Sequence, residues 1–388
     1  MEKTTKMNKK MRFFACFCLI IVFLLSFLAL NCFSSNDFSF AQSVSTTAKG
    51  MCVMESSSHR VLYSKNENAS LPMASTTKIM TAITAIENCD NIDKEFEISP
   101  KGVGISGTSM YLKKGEVMSL RDLLYGLMLV SGNDASVAIG EYVGGSIKGF
   151  VDLMNAMANK IGAKNTHFDN THGLDSPQHY TCAYDLALIT SYALKNDTFK
   201  QIVSTKNTKI TNKDGKTRYL KNKNKLLNLL EGCNGVKTGY TDDAGRCLVS
   251  SCERNGMNII CVVLNCRPMF EESANLINQA FSEYQMFDLT KGYSYEKYIN
   301  VVEGKSQNVL IGTKEHFFYP LKEEELKNVA YTYDILKEIE APITKDMEVG
   351  EIQIFIYNNL QFSEKIYTME NVRRNSIWSK MKRLIEKW

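Results

Sequence analysis

Several patterns that usually mark a metal, redox or nucleotide site are missing from this 388-residue chain. None of its eleven cysteines forms a CxxC pair, which leaves neither a zinc site nor a thioredoxin-like site supported. Cys16, Cys18 and Cys32 fall near the N-terminus. The other eight (Cys52, Cys89, Cys182, Cys233, Cys247, Cys252, Cys261 and Cys266) sit mostly in apolar contexts and read as buried free thiols. His167, Asp169, His172, Asp175 and His179 crowd residues 165–180 without HExxH or another ligand spacing. That stretch reads as a polar loop, and no metal or cofactor is expected. Gly102 to Gly107 matches GxGxxG, but no apolar strand precedes it and no amphipathic helix begins at it, so it reads as a flexible surface loop.

A strong charge of one sign is also absent: the net charge is +4, from 46 basic and 42 acidic residues. Removing five basic and two acidic residues of residues 1–41, and six basic and one acidic of residues 371–388, leaves a body with 35 basic and 39 acidic side chains. The surplus belongs to the ends, and nucleic acid is not implied. At the N-terminal end, Lys3, Lys6, Lys9, Lys10 and Arg12 precede the apolar run Phe13 to Phe33 and the small-residue site Ser39-Phe40-Ala41. That pattern is expected of a secretory leader or an uncleaved anchor, with the body outside the cytoplasm. At the other end, Ile377, Trp378, Met381, Leu384, Ile385 and Trp388 form a helical stripe against Arg373, Arg374, Lys380, Lys382, Arg383 and Lys387. This predicts an amphipathic helix lying in a membrane surface.

What is present is a serine and a lysine at helical spacing. Ala74-Ser75-Thr76-Thr77-Lys78 follows Leu71-Pro72-Met73 and opens the apolar run Ile79 to Ile86, so Ser75 and Lys78 share a face in a first helical turn. An amine beside a hydroxyl, partly desolvated, is a serine nucleophile with its own base. Upstream, Met51 to Lys65 reads as a hairpin. Downstream, the buried helix Leu120 to Val130 ends at Ser131-Gly132-Asn133-Asp134, before a further helix. Phe150 to Ile161 is another helix, and Thr208 to Tyr219 a hairpin turning at Asp214-Gly215. Gly235-Val236-Lys237-Thr238-Gly239-Tyr240 opens an antiparallel sheet with Cys247 to Ser250 and Ile259 to Leu264. Its first strand offers Lys237 and Thr238 to an extended peptide and its terminal carboxylate. After a helix over Glu271 to Phe287 the composition shifts to short strands, which places a boundary near Thr290.

SxxK and SxN each recur elsewhere in the chain, and Lys-Thr-Gly occurs once. Order and context give Ser75, Ser131 and Lys237 their weight: SxxK at a helix start, SxN at a helix junction, Lys-Thr-Gly on a strand. On these motifs, and on Pro72 to Thr81, Val130 to Ala135, Asn165 to Phe168, His172 to Asp175 and Gly235 to Gly245, the sequence resembles the low-molecular-mass penicillin-binding proteins, serine-type D-Ala-D-Ala carboxypeptidases. The resemblance spans about residues 50–370. It implies an α+β domain over residues 42–289, an antiparallel sheet flanked by helices, then a small all-β domain over 290–370 and the amphipathic helix over 371–388. It also implies a peptidoglycan stem peptide ending in D-Ala-D-Ala as substrate and β-lactams as covalent inhibitors.

Carried onto this chain, the family's roles make Ser75 the acylated nucleophile, Lys78 its base and Ser131 the relay of a proton to the leaving amine. Asn133 would hold the substrate backbone and steady Lys78, and Lys237 and Thr238 would bind the terminal carboxylate. The strand segment with Gly239 and Tyr240, whose backbone N–H joins that of Ser75 in the oxyanion hole, completes the set; Arg267 would assist with the carboxylate. D,D-endopeptidase or transpeptidase activity shares the same acyl-enzyme. A β-lactamase would need a second deacylating base, and no Glu-x-x-x-Asn lies between SxN and Lys-Thr-Gly. A non-catalytic penicillin sensor would need a cytoplasmic signalling segment, and only about a dozen residues precede Phe13.

Overall fold

The computed structural model describes residues 42–290 and 297–376. The expected leader, and residues 377–388 of the expected tail helix, lie outside the described residues.

The strands of the body are β1 (Gln42–Ser43), β2 (Gly50–Glu55), β3 (Val61–Lys65), β4 (Glu95–Glu97), β5 (Val117–Ser119), β6 (Asn207–Thr211), β7 (Thr217–Lys221), β8 (Cys233–Thr241), β9 (Gly245–Arg254) and β10 (Met257–Leu264). Six of them form one sheet in the order β1-β3-β2-β10-β9-β8, antiparallel apart from the two-residue β1 pairing. The β9–β10 turn places Asn255 and Gly256 both at positive φ, the backbone a tight two-residue hairpin demands. Alternate residues of the central strands feed two separate cores. Cys52, Met54, Ile260 and Val262 face the helices Lys78–Glu87, Asn133–Gly144, Ile147–Ile161 and Ala183–Leu194, while Met51, Val53, Cys261 and Val263 face the helix Met269–Glu283. A sheet covered on both sides explains why these strands are apolar nearly throughout.

The helix Met269–Glu283 ends earlier than its sequence suggests, because β11 (Gln285–Asp288) takes over and pairs with β14 (Phe318–Leu321). The remaining strands, β12 (Lys297–Val302), β13 (Asn308–Gly312), β15 (Val329–Ile335), β16 (Glu338–Glu340), β17 (Glu348–Ile356) and β18 (Asn359–Thr368), form a second sheet in the order β15-β17-β18-β13-β12-β16 around a third core. Arg60, from the β2–β3 turn, reaches this part of the molecule. It donates to the Pro320 carbonyl and pairs with Glu325 at 2.6 Å, beneath the rings of Tyr284 and Tyr319.

The expected helix over 371–388 does not begin at Asn371. Val372 and Arg374 are extended and bridge Ile343 and Gly304, and Arg374 is ion-paired with Glu303 and Glu340. Backbone partners at Ile343 and Gly304, and the carboxylates of Glu303 and of Glu340 on β16, hold these residues out of a helix. All eight described cysteines are free thiols, six of them buried, as the sequence suggests. Among the described residues no helix is long and apolar enough to cross a membrane.

Candidate active site

Ser75 lies in a single 3-10 turn, Ala74–Thr77, that leads into the helix Lys78–Glu87. This puts Lys78 one turn on and aims its chain inward, where it is fully buried. The Lys78 amine has three partners: Ser75 Oγ at 2.8 Å, Asn133 Oδ1 at 2.7 Å and the His172 carbonyl at 2.7 Å. Asn133 opens the helix Asn133–Gly144 without capping it, since Gly132 is the cap residue. Its amide is spent on Lys78 and, at 2.6 Å, on the Ser106 carbonyl. Ser131, nearly buried, stands at φ +66 between a π-helical turn (Gly126–Val130) and that helix, a strained junction of the kind found at functional sites.

Opposite lies β8, the edge strand of the main sheet. Gly239 packs so closely that a Cβ there would stand 3.0 Å from Ser75 N and 3.0 Å from the Ala74 Cβ. Lys237 points inward at 1% exposure and donates to the Thr238 carbonyl at 2.8 Å, whereas Tyr240 turns its ring outward. The main-chain edge is thus open beside a buried cation. Ser75, Lys78, Ser131, Asn133, Lys237, Thr238, Gly239 and Tyr240 all fall on the elements that meet around Ser75. Arg267 is exposed just past β10 and, among the described residues, makes no side-chain hydrogen bond or ion pair with any of them.

Charge in the site is one-sided. Burial above all, then the nearby cations Lys237 and Lys223, push the Lys78 amine well below its ordinary pKa, against a smaller opposing pull from Asp134. Asp134 is occupied elsewhere. It accepts from the Met110, Leu112 and Ala135 N–H groups and the Ser109 hydroxyl, which ties the segment after the GxGxxG match onto the site. Burial first, and Lys223 second, bring Lys237 down to about 7. A cluster of amines without a touching carboxylate disfavours the charged form of each amine and leaves room for an anionic ligand.

Three contributors escape a reading by motif. The loop over Gly102 to Gly107 is docked at the site through Asn133 and Ser106, and a Cβ on Gly107 would stand 2.7 Å from Asn133 Nδ2. The polar loop over 165–180 supplies the His172 carbonyl. Lys223, whose backbone N–H bonds the Leu129 carbonyl, adds the third amine. Only His172 had a signal in the sequence, as part of the His172 to Asp175 match. Among the described residues no group of three or more His, Cys, Asp or Glu could hold a metal.

A serine touching a buried, charge-depressed lysine, faced by an open strand edge, defines a serine acyl-transfer enzyme. The chain belongs to the D-alanyl-D-alanine carboxypeptidase family, whose model matches residues 37–267; the C-terminal domain model of penicillin-binding protein 5 matches residues 284–374. It is 31% identical to D-alanyl-D-alanine carboxypeptidase DacF of Bacillus subtilis, over 95% of this chain and 97% of that one. Among solved structures it resembles penicillin-binding protein 5 of Haemophilus influenzae, at 26% identity and a TM-score of 0.69, covering 86% of this chain and all of that one. A Streptomyces DD-transpeptidase matches at 33% identity and a TM-score of 0.59, covering 62% of this chain and 100% of that one. The chain is a serine-type D-Ala-D-Ala carboxypeptidase acting on peptidoglycan peptides through an acyl-enzyme that β-lactams trap.

Burial and Lys223 bring Lys237 down to about 7, so its charge is expected to be lost as pH rises through that value. The affinity of a ligand with a terminal carboxylate, measured on the Ser75→Ala protein, is expected to fall as pH rises through 7. Lys237→Arg, which keeps its charge, is expected to flatten that dependence. A pH-independent affinity in the protein that keeps Lys237 would contradict the expectation that Lys237 holds the carboxylate.

Proposed function

We propose that Ser75 is the nucleophile acylated in this reaction and Lys78 the base that activates it. The observation that carries this reading is the set of three partners around the Lys78 amine. Asn133 Oδ1 and the His172 carbonyl can only accept hydrogen bonds, so both must receive N–H groups. A neutral amine has two of these, and its lone pair is then left facing Ser75 Oγ. Proton transfer from Ser75 Oγ to Lys78 accompanies formation of the bond between Oγ and the carbonyl carbon of the penultimate D-Ala.

The family's roles at the matching motif positions supply the rest. The N–H groups of Ser75 and Tyr240 take the oxyanion, each such donor being worth about 3 kcal/mol of barrier. Ser131 passes the proton to the leaving amine of the terminal D-Ala, and Asn133 holds the substrate backbone while steadying Lys78. Lys237 and Thr238 take the terminal carboxylate, with Arg267 assisting only if its chain swings toward β8. Water then attacks the acyl-enzyme and frees Ser75. Capture of the acyl group by an amine instead of water is the transpeptidase alternative, and the likeness to a Streptomyces DD-transpeptidase keeps it in view. We read residues 42–289 as the catalytic domain and 290–370 as the β domain. We further read residues 1–41 as a leader that sends the enzyme outside the cytoplasm, and the tail as a helix holding it on the membrane surface.

Incubation with a pentapeptide ending in D-Ala-D-Ala is expected to release D-alanine, and Ser75→Ala to abolish both release and covalent labelling by a fluorescent penicillin. Unchanged release from the variant would sink the assignment. Removing residues 377–388 is expected to shift the processed protein from the membrane to the soluble fraction; persistent membrane association would point to the leader instead.

A further inference from the structure

The polar loop over residues 165–180 does more than lend a carbonyl to Lys78. Ala74, the residue before Ser75, has φ +49, a left-handed conformation that costs a side-chain-bearing residue about 1 kcal/mol and persists only where neighbours enforce it. Its carbonyl accepts from the Thr77 hydroxyl at 2.8 Å, and Thr77 Oγ lies 2.7 Å from His179 Nε2. On the far side of that ring, the Asp169 N–H donates to His179 Nδ1 at 3.0 Å.

These contacts have one consistent polarity. A nitrogen that accepts carries no proton, so the neutral ring bears its hydrogen on Nε2 and donates it to Thr77 Oγ. The Thr77 hydroxyl is then free to donate to the Ala74 carbonyl. His179 is 4% exposed and Thr77 fully buried. Burial keeps the ring neutral against Asp169, with His172, His167 and Lys78 as the other charged or titratable groups around it.

The chain of bonds ends on a peptide plane that matters. The Ala74 carbonyl and the Ser75 N–H belong to one planar peptide unit, so fixing the direction of the first fixes that of the second. The plane is clamped from elsewhere too. A Cβ on Gly173, which has φ +90, would stand 1.9 Å from the Ala74 oxygen, so that oxygen rests against bare backbone, while Gly239 closes on Ser75 N.

We propose that His179 is a positioning residue which, through Thr77 and the Ala74 carbonyl, holds the Ser75 N–H in the direction the developing oxyanion requires. The proposal rests on the reading of Ser75 as nucleophile and oxyanion donor. A group that only aims such a donor affects the transition state more than the bound substrate, so its loss appears in kcat and not in KM.

The test compares the parent enzyme, His179→Ala, Thr77→Val, the double variant and His179→Gln in D-alanine release, with thermal unfolding alongside. His179→Ala and Thr77→Val are each expected to lower kcat about 10- to 100-fold, below the loss of a whole oxyanion donor, with KM within about threefold. The double variant is expected to be no worse than the poorer single one, because both cut the same chain. Glutamine can donate to Thr77 and accept from Asp169, so His179→Gln is expected to retain activity within about threefold of the parent.

Parent-like kcat in His179→Ala or Thr77→Val would overturn the proposal. So would multiplicative losses in the double variant, a loss confined to KM, or a folded His179→Gln as impaired as His179→Ala. Should His179→Ala fail to fold, the contrast between Thr77→Val and His179→Gln decides. A parent enzyme that forms no acyl-enzyme on Ser75 would refute the underlying reading instead, an outcome that covalent penicillin labelling separates from the others.

Discussion

A lysine amine buried among acceptors that are not carboxylates is the constraint on which the catalytic region depends. Desolvating an ammonium costs several kcal/mol, and Lys78 has no acid in contact to offset it. Asp134, the nearest candidate, has committed its oxygens to the backbone and hydroxyl of residues 109–112 and to the Ala135 N–H. Burial therefore pushes the amine's pKa well below its ordinary value, and Lys237 and Lys223 push in the same direction. In the proposed neutral state the two pure acceptors take both N–H groups and leave the lone pair toward Ser75.

The rest of the site can be understood as scaffolding for that contact. Helix, SxN junction and edge strand each bring one wall, and the junctions between them carry the strain. Ala74 and Ser131 both occupy left-handed backbone without being glycine, each at a modest cost; the Ala74 carbonyl is bound by Thr77 of its own turn and the Ser131 carbonyl by Thr108 of a neighbouring loop. Glycine appears where approach is closest, at Gly107, Gly173 and Gly239, where a Cβ would collide with Asn133, Ala74 or the turn that carries Ser75.

Much of this was legible in the amino-acid order. Ser75 and Lys78 are one helical turn apart, so their contact follows from local geometry, and the apolar residues after them require a buried helix. Lys237 was legible as a strand residue but not as a buried one, because its burial depends on packing against a turn about 160 residues earlier in the chain. The His172 contribution is a backbone carbonyl, 94 residues from Lys78; the His172 to Asp175 match marks the segment but not the atom that binds. His179 looked like part of a possible ligand cluster because side-chain type says nothing of which nitrogen accepts. In the second sheet, β18 is hard to read from sequence because Glu364 and Lys365 interrupt its apolar pattern, and Lys365 pairs with Glu348 and Glu351 on the neighbouring strand β17. The described start of the tail failed as helix for a similar reason: Arg374 has carboxylates waiting on distant segments.

The central claim is that Lys78 rests neutral with its lone pair on Ser75, and direct titration of its ε-carbon resonance in carbon-13 lysine-labelled enzyme tests it. The account predicts a midpoint well below the ordinary lysine value of about 10.4, rising when Lys237 is replaced by methionine and one like charge is removed. A midpoint near 10.4 in a fully active enzyme would contradict it.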